Sequence, residues 1–114
     1  MLFVDILIIN NMQNILITAI DQKQLVELTF YTKDGQLLTR TAVPMDYGPR
    51  RGWSSPESHY HFMVVGSNGE LHPLSLKGNK VVGIKPLPFR FAPGDLVTWQ
   101  PNWHYPRDWG EGCS

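Results

Sequence analysis

Asn68-Gly69, set between two apolar runs, constrains this chain more than any other pair of residues. The centre of a type I′ hairpin turn needs positive φ at both positions, and Asn and Gly tolerate it. The surrounding stretch from His59 to Lys85, HYHFMVVGSNGELHPLSLKGNKVVGIK, then reads as strand, turn, strand, turn, strand, with Gly78-Asn79 at the second reversal. With Asn68-Gly69 as the turn centre, Val65 faces His72 and His61 faces Leu76. His59, His61 and His72 then share one face, because side chains alternate along a strand.

Upstream, Leu28, Phe30 and Thr32 alternate with Glu27, Thr29 and Tyr31, the period of a half-buried strand. Lys33-Asp34-Gly35-Gln36 holds a second hairpin signal, and Leu37 to Val43 is the returning strand. Pro44 closes it, since proline cannot donate to a sheet ladder. Before these strands, Ile15, Leu16, Ala19 and Ile20 recur at helical spacing and predict a short helix over residues 12–23. In the opening MLFVDILIIN, the β-branched Val4, Ile6, Ile8 and Ile9 favour an extended segment, while Leu2, Phe3, Ile6 and Leu7 also suit a helix face. The fold class is mainly β with one short N-terminal helix: a small five-stranded antiparallel barrel of the SH3-like or Sm-like kind. A chain of 114 residues makes a single domain. Residues 1–24 form the extended segment and helix, 25–88 the barrel, and 89–114 a tail rich in proline and aromatics.

Net charge is zero, but the middle of the chain is basic. Between Arg40 and Arg90 seven basic residues stand against three acidic ones, whereas each flank is acidic. This pattern permits an anionic ligand. The loop PMDYGPRRGWSSPES, Pro44 to Ser58, gathers Tyr47, Arg50, Arg51 and Trp53. Guanidinium groups beside aromatic rings are what phosphate and base-stacking sites use. The expected ligand contacts are Arg50 and Arg51, supported by Arg40, His72 and Lys77, with Trp53 as a stacking platform.

Three segments taken together resemble the WYL domain: ILITAIDQKQLVELTFYTKDGQLLTRTAVP, HFMVVGSNGELHPLSLKGNKVVGI and PFRFAPGDL. The resemblance spans residues 15–96 and is to a divergent, stand-alone copy. It implies a helix packed on an SH3-like or Sm-like barrel, and a regulatory module that senses a nucleotide or nucleic acid. The family's Trp-Tyr-Leu signature falls on His61, Phe62 and Met63. The positions of its ligand-binding arginines fall on His72, Ser75 and Gly78.

Other chemistries find little support. His61 lies four residues from the level of His72, about 13 Å along the strand, too far for one ion with bonds of about 2 Å. Ser54, Ser55, His59 and Asp46 lack a nucleophile-elbow context, and no glycine-rich phosphate loop precedes a helix. A non-catalytic module without metal or cofactor is therefore expected. Its partner is a nucleotide or single-stranded nucleic acid. The alternative is a protein-interaction or structural module that docks a partner or dimerises. The apolar Leu2–Ile9 segment and the Trp-rich tail (Trp99, Trp103, Tyr105, Trp109) also predict a homo-oligomer, with the tail either strapped over the barrel or docking a partner. No membrane association is expected, because the opening apolar run is short and broken by Asp5. The lone Cys113 and the missing signal-peptide pattern point to a cytoplasmic protein, with Cys113 frayed near the C-terminus.

Overall fold

The computed structural model describes residues 2–52, 54 and 56–114, with side chains from Asn11 onward. Helix α1 spans Leu2–Gln22, and five strands follow: β1 Gln24–Tyr31, β2 Leu37–Pro49, β3 Ser58–Val65, β4 Leu71–Lys77 and β5 Val81–Arg90. The helix therefore starts ten residues earlier than its described apolar stripe required. No proline or glycine interrupts residues 2–22. β-Branched residues lower helix propensity by only about 0.5 kcal/mol each, and propagation from an existing helix is cooperative. Met12, Leu16, Ala19 and Ile20 turn the helix's buried face to the sheet. Lys23 then stops it, with φ of 56° and its N–H on the Ile20 carbonyl at 3.2 Å.

All pairings are antiparallel, in the order β4-β3-β2-β1-β5. The sheet is not closed into a barrel: β4 and β5 are its two edges and do not pair. Pro73 in β4 and Pro86 and Pro88 in β5 remove ladder donors from both edges. The edges nonetheless approach at one end. Only Gly78–Lys80 connects β4 to β5, and so few residues span at most about 3.6 Å each. Gly78-Asn79 is thus a bridge between opposite edges of a bent sheet and not a hairpin.

Both true hairpins use three-residue loops. In one, Thr32 and Gln36 close around Lys33-Asp34-Gly35; in the other, Gly66 and Glu70 close around Ser67-Asn68-Gly69. Gly35 and Gly69 have φ of 81° and 82°. This is a turn followed by a left-handed residue, which places one residue more in the loop than a two-residue turn does. The register consequently shifts: Val65 faces Leu71, Val64 faces His72 and His61 faces Ser75. His72 belongs to the opposite face from His59 and His61.

Strand β2 continues beyond Pro44 to Pro49. Pro44 faces Phe62 and Asp46 faces His61, leaving Met45 as the extra residue of a bulge. A bulge is one of the few sheet positions where proline does no damage. Alternation holds along β1, where Val26, Leu28 and Phe30 are buried, but fails along β2, where Ala42 to Asp46 are all buried. The tail explains the failure by covering the second face of β2. Trp109 and Cys113 are buried there, so Cys113 is packed and not frayed. Among the described residues no helix is long and apolar enough to cross a membrane.

Candidate functional site

Asp46, level with the β2 bulge, anchors the tail. Its Oδ2 accepts the His104 N–H at 2.8 Å; its Oδ1 accepts the Tyr105 N–H at 2.9 Å and an Arg107 Nη2 donor at 2.9 Å. Arg107 also donates to the Met45 and Tyr105 carbonyls. Its guanidinium carbon lies 4.0 Å from the Trp103 ring centre and 4.5 Å from that of Trp109. Burial lowers the Arg107 pKa to about 10, against the pull of Asp46, and leaves it charged at neutral pH. With both oxygens so occupied, Asp46 is a structural carboxylate and not a free base.

Three histidines gather beside this hub. The His61 and His104 rings lie 6.5 Å apart between centres, and those of His59 and His61 6.2 Å. Each aims a nitrogen at a backbone carbonyl: His59 Nδ1 at Glu57, His61 Nε2 at Gly48 and His104 Nε2 at Pro49. A carbonyl only accepts, so each of those nitrogens carries the proton. His61 Nδ1 meets Ser75 Oγ at 2.8 Å. Desolvation pushes the His61 pKa down, helped by His59 and His104 and opposed by the Gly48 hydrogen bond and Asp46. Gly48 leaves the space His104 needs, since a Cβ there would come within 2.4 Å of the imidazole.

Between the sheet and the tail runs a groove of about 540 Å³, within the range of small-ligand sites. His61, Ser75 and Leu74 form its floor, Trp99, Asn102 and His104 one wall, and Arg50 and Arg51 its rim. The rim is held by the turn at Gly52, with φ of 82°, and by an Arg51 Nη2 donor on the Asn102 carbonyl.

Of the sequence-derived candidates, Arg50 and Arg51 meet in this groove. Arg40 does not: it is exposed on β2 and donates to the Thr39 carbonyl. His72 lies on the other sheet face, 3.9 Å from Glu70, because of the register shift. Lys77 sits at the end of β4 and pairs with Glu57 at 3.5 Å. Neither lines the groove. Trp53 lies outside the described residues. Sequence reasoning missed Ser75, His61 and His104 as a group. The glycine of each hairpin loop was the available signal, since a three-residue loop at Ser67-Asn68-Gly69 puts Ser75 opposite His61. Nothing in sequence announced the pairing of Asp46 with Arg107, 61 positions away.

No three or more His, Cys, Asp or Glu side chains gather in a way that could hold a metal ion among the described residues. A scan against protein-family models, a search of curated proteins and a search of solved structures each gave no match.

Proposed function

We propose that this protein is a non-catalytic, WYL-like sensing module that binds a nucleotide, or the end of a single-stranded nucleic acid, in the groove between sheet and tail. One observation carries the reading: Arg50 and Arg51 line the same largely apolar groove as the half-exposed Trp99. Guanidinium groups donate in a fork matched to phosphate oxygens, and an indole face stacks on a base. A non-catalytic role is supported by the chemistry of the floor. Ser75 and His61 are hydrogen-bonded, but the far nitrogen of His61 meets the Gly48 carbonyl and not a carboxylate.

The test is calorimetric titration of nucleoside monophosphates and short oligonucleotides at two salt concentrations. Binding should weaken with salt and fall at least about tenfold in an Arg50→Ala/Arg51→Ala double variant, since charged hydrogen bonds each contribute about 1.5–3 kcal/mol. Absence of binding at low salt by every nucleotide and oligonucleotide would reject the reading.

A second reading, self-association or docking of a protein partner, is supported by an apolar patch. Tyr31 and Leu37 face each other across β1 and β2 with exposures of 41% and 55%. Val82, beside the β1–β5 bulge, is 47% exposed. Sedimentation at high micromolar concentration checks it, and a strict monomer there rejects self-association.

A further inference from the structure

The groove's polar side chains do not offer a ligand the same thing. Arg50 and Arg51 have donors only. Ser75, at the other end, would ordinarily serve as donor or acceptor, but its neighbour removes the choice. His61 Nε2 is 2.8 Å from the Gly48 carbonyl oxygen, so the ring proton resides on Nε2. Nδ1 is then an acceptor, and the Ser75 hydroxyl donates to it across 2.8 Å. The same burial that lowers the His61 pKa keeps the ring neutral and the arrangement intact at neutral pH. What Ser75 Oγ has left for a ligand is its lone pairs. Pro73 and Leu74 line the groove beside it, so a ligand seated there covers the Ser75 hydroxyl and displaces its water.

Strand geometry sets the distance between the two poles. Ser75 is level with His61, and His61 with Asp46. Arg50 lies four residues beyond Asp46, about 13 Å along β2, and Ser75 two strand spacings, about 10 Å, across. The arginine side chain spans part of that diagonal. The remainder suits one mononucleotide with its phosphate at the arginines and its base at Ser75.

We propose that Ser75 is a specificity-determining residue that accepts a hydrogen bond from a ring amino group, so that the groove prefers amino nucleobases over bases lacking that donor. The proposal rests on the nucleotide reading given above. A ligand lacking the N–H would leave the Ser75 lone pairs desolvated and unpaired, which disfavours its binding.

Two matched pairs of probes test this by calorimetry: AMP against purine riboside 5′-monophosphate, and CMP against its counterpart without the 4-amino group. The expected result is about tenfold tighter binding of the amino member of a pair. That preference should vanish in Ser75→Ala and persist in Ser75→Thr, with unchanged circular dichroism in both variants. Equal affinities in the unaltered protein, or a preference that survives Ser75→Ala, would overturn the inference. If binding is equal but still depends on Arg50 and Arg51, the groove reading stands without it. If no probe binds, both fall.

Discussion

The loop from Arg50 to Glu57 and the tail from Phe91 to Cys113 are alike on paper, each dense in proline, glycine and tryptophan. In the fold they diverge. Arg50, Arg51 and Glu57 are exposed, whereas the Arg107 side chain is fully buried and Trp109 lies in the core. The tail differs in having a carboxylate to meet. Asp46 takes two of its main-chain N–H groups and its arginine, and Trp103 and Trp109 enclose the charge. Irregular backbone can be buried when side chains supply the hydrogen bonds that a ladder would otherwise provide. Among the loop's described residues, Arg50 and Arg51 stay exposed at the edge of the groove.

The largest test of this contrast is Arg107→Ala. It leaves Asp46 buried without its counter-charge and should cost about 3–5 kcal/mol by urea denaturation; a loss under about 1 kcal/mol would mean the pair is not what holds the tail. Gly48→Ala comes next. Its Cβ would collide with His104, whose ring is held by the Pro49 carbonyl, and overpacking of this kind costs about 1–3 kcal/mol. An unshifted urea midpoint would show that His104 moves aside freely.

The effect of pH is smaller and has a definite sign. The half-buried His61 resists protonation more than the same residue in the unfolded chain, with its ordinary value of 6.5. The unfolded state therefore binds more protons, and stability should decline as pH drops below 6.5 and level off beneath the folded-state value. His61→Gln should remove that portion of the decline; an identical pH profile in the variant would assign it to other groups. Smallest of all, Arg51→Ala should change stability by less than about 0.5 kcal/mol, because only an exposed bond to the Asn102 carbonyl is lost. A larger loss would place the loop with the tail as a structural element.

Local chemistry was legible in the sequence, and long-range chemistry was not. The stripe Leu16, Ala19 and Ile20 and the alternation in β1 follow from which face is buried, a property of neighbouring residues. Arg50 and Arg51 were legible for a similar reason, since their grouping in one loop survives folding. The hairpins were recognised but their loops counted one residue short, and a one-residue slip moves every side chain to the other face. That slip grouped His72 with His59 and His61, which the true register separates, and hid the contact between His61 and Ser75. Continuation of β2 past Pro44 was hidden because it depends on a bulge at Met45 and on the tail that covers it. Burial of Cys113 was likewise invisible, since proximity to a chain end says nothing of Trp103, whose Nε1 donates to the Cys113 carbonyl at 2.8 Å.

One bond has a kinetic consequence. The Trp109 indole N–H donates to the Ile20 carbonyl at 2.8 Å across 89 positions of sequence, at the turn where α1 gives way to β1. The two hairpins need only short loops to close, and closure entropy rises with the length of chain between the ends. Contacts of high sequence separation also slow folding. We therefore expect the helix end to be sealed after the hairpins have formed, with the indole of Trp109 placed to report that step. In a variant with Trp53, Trp99 and Trp103 changed to Phe, Trp109 fluorescence in stopped-flow refolding should lag the backbone circular dichroism signal, and a coincident phase would reject this order.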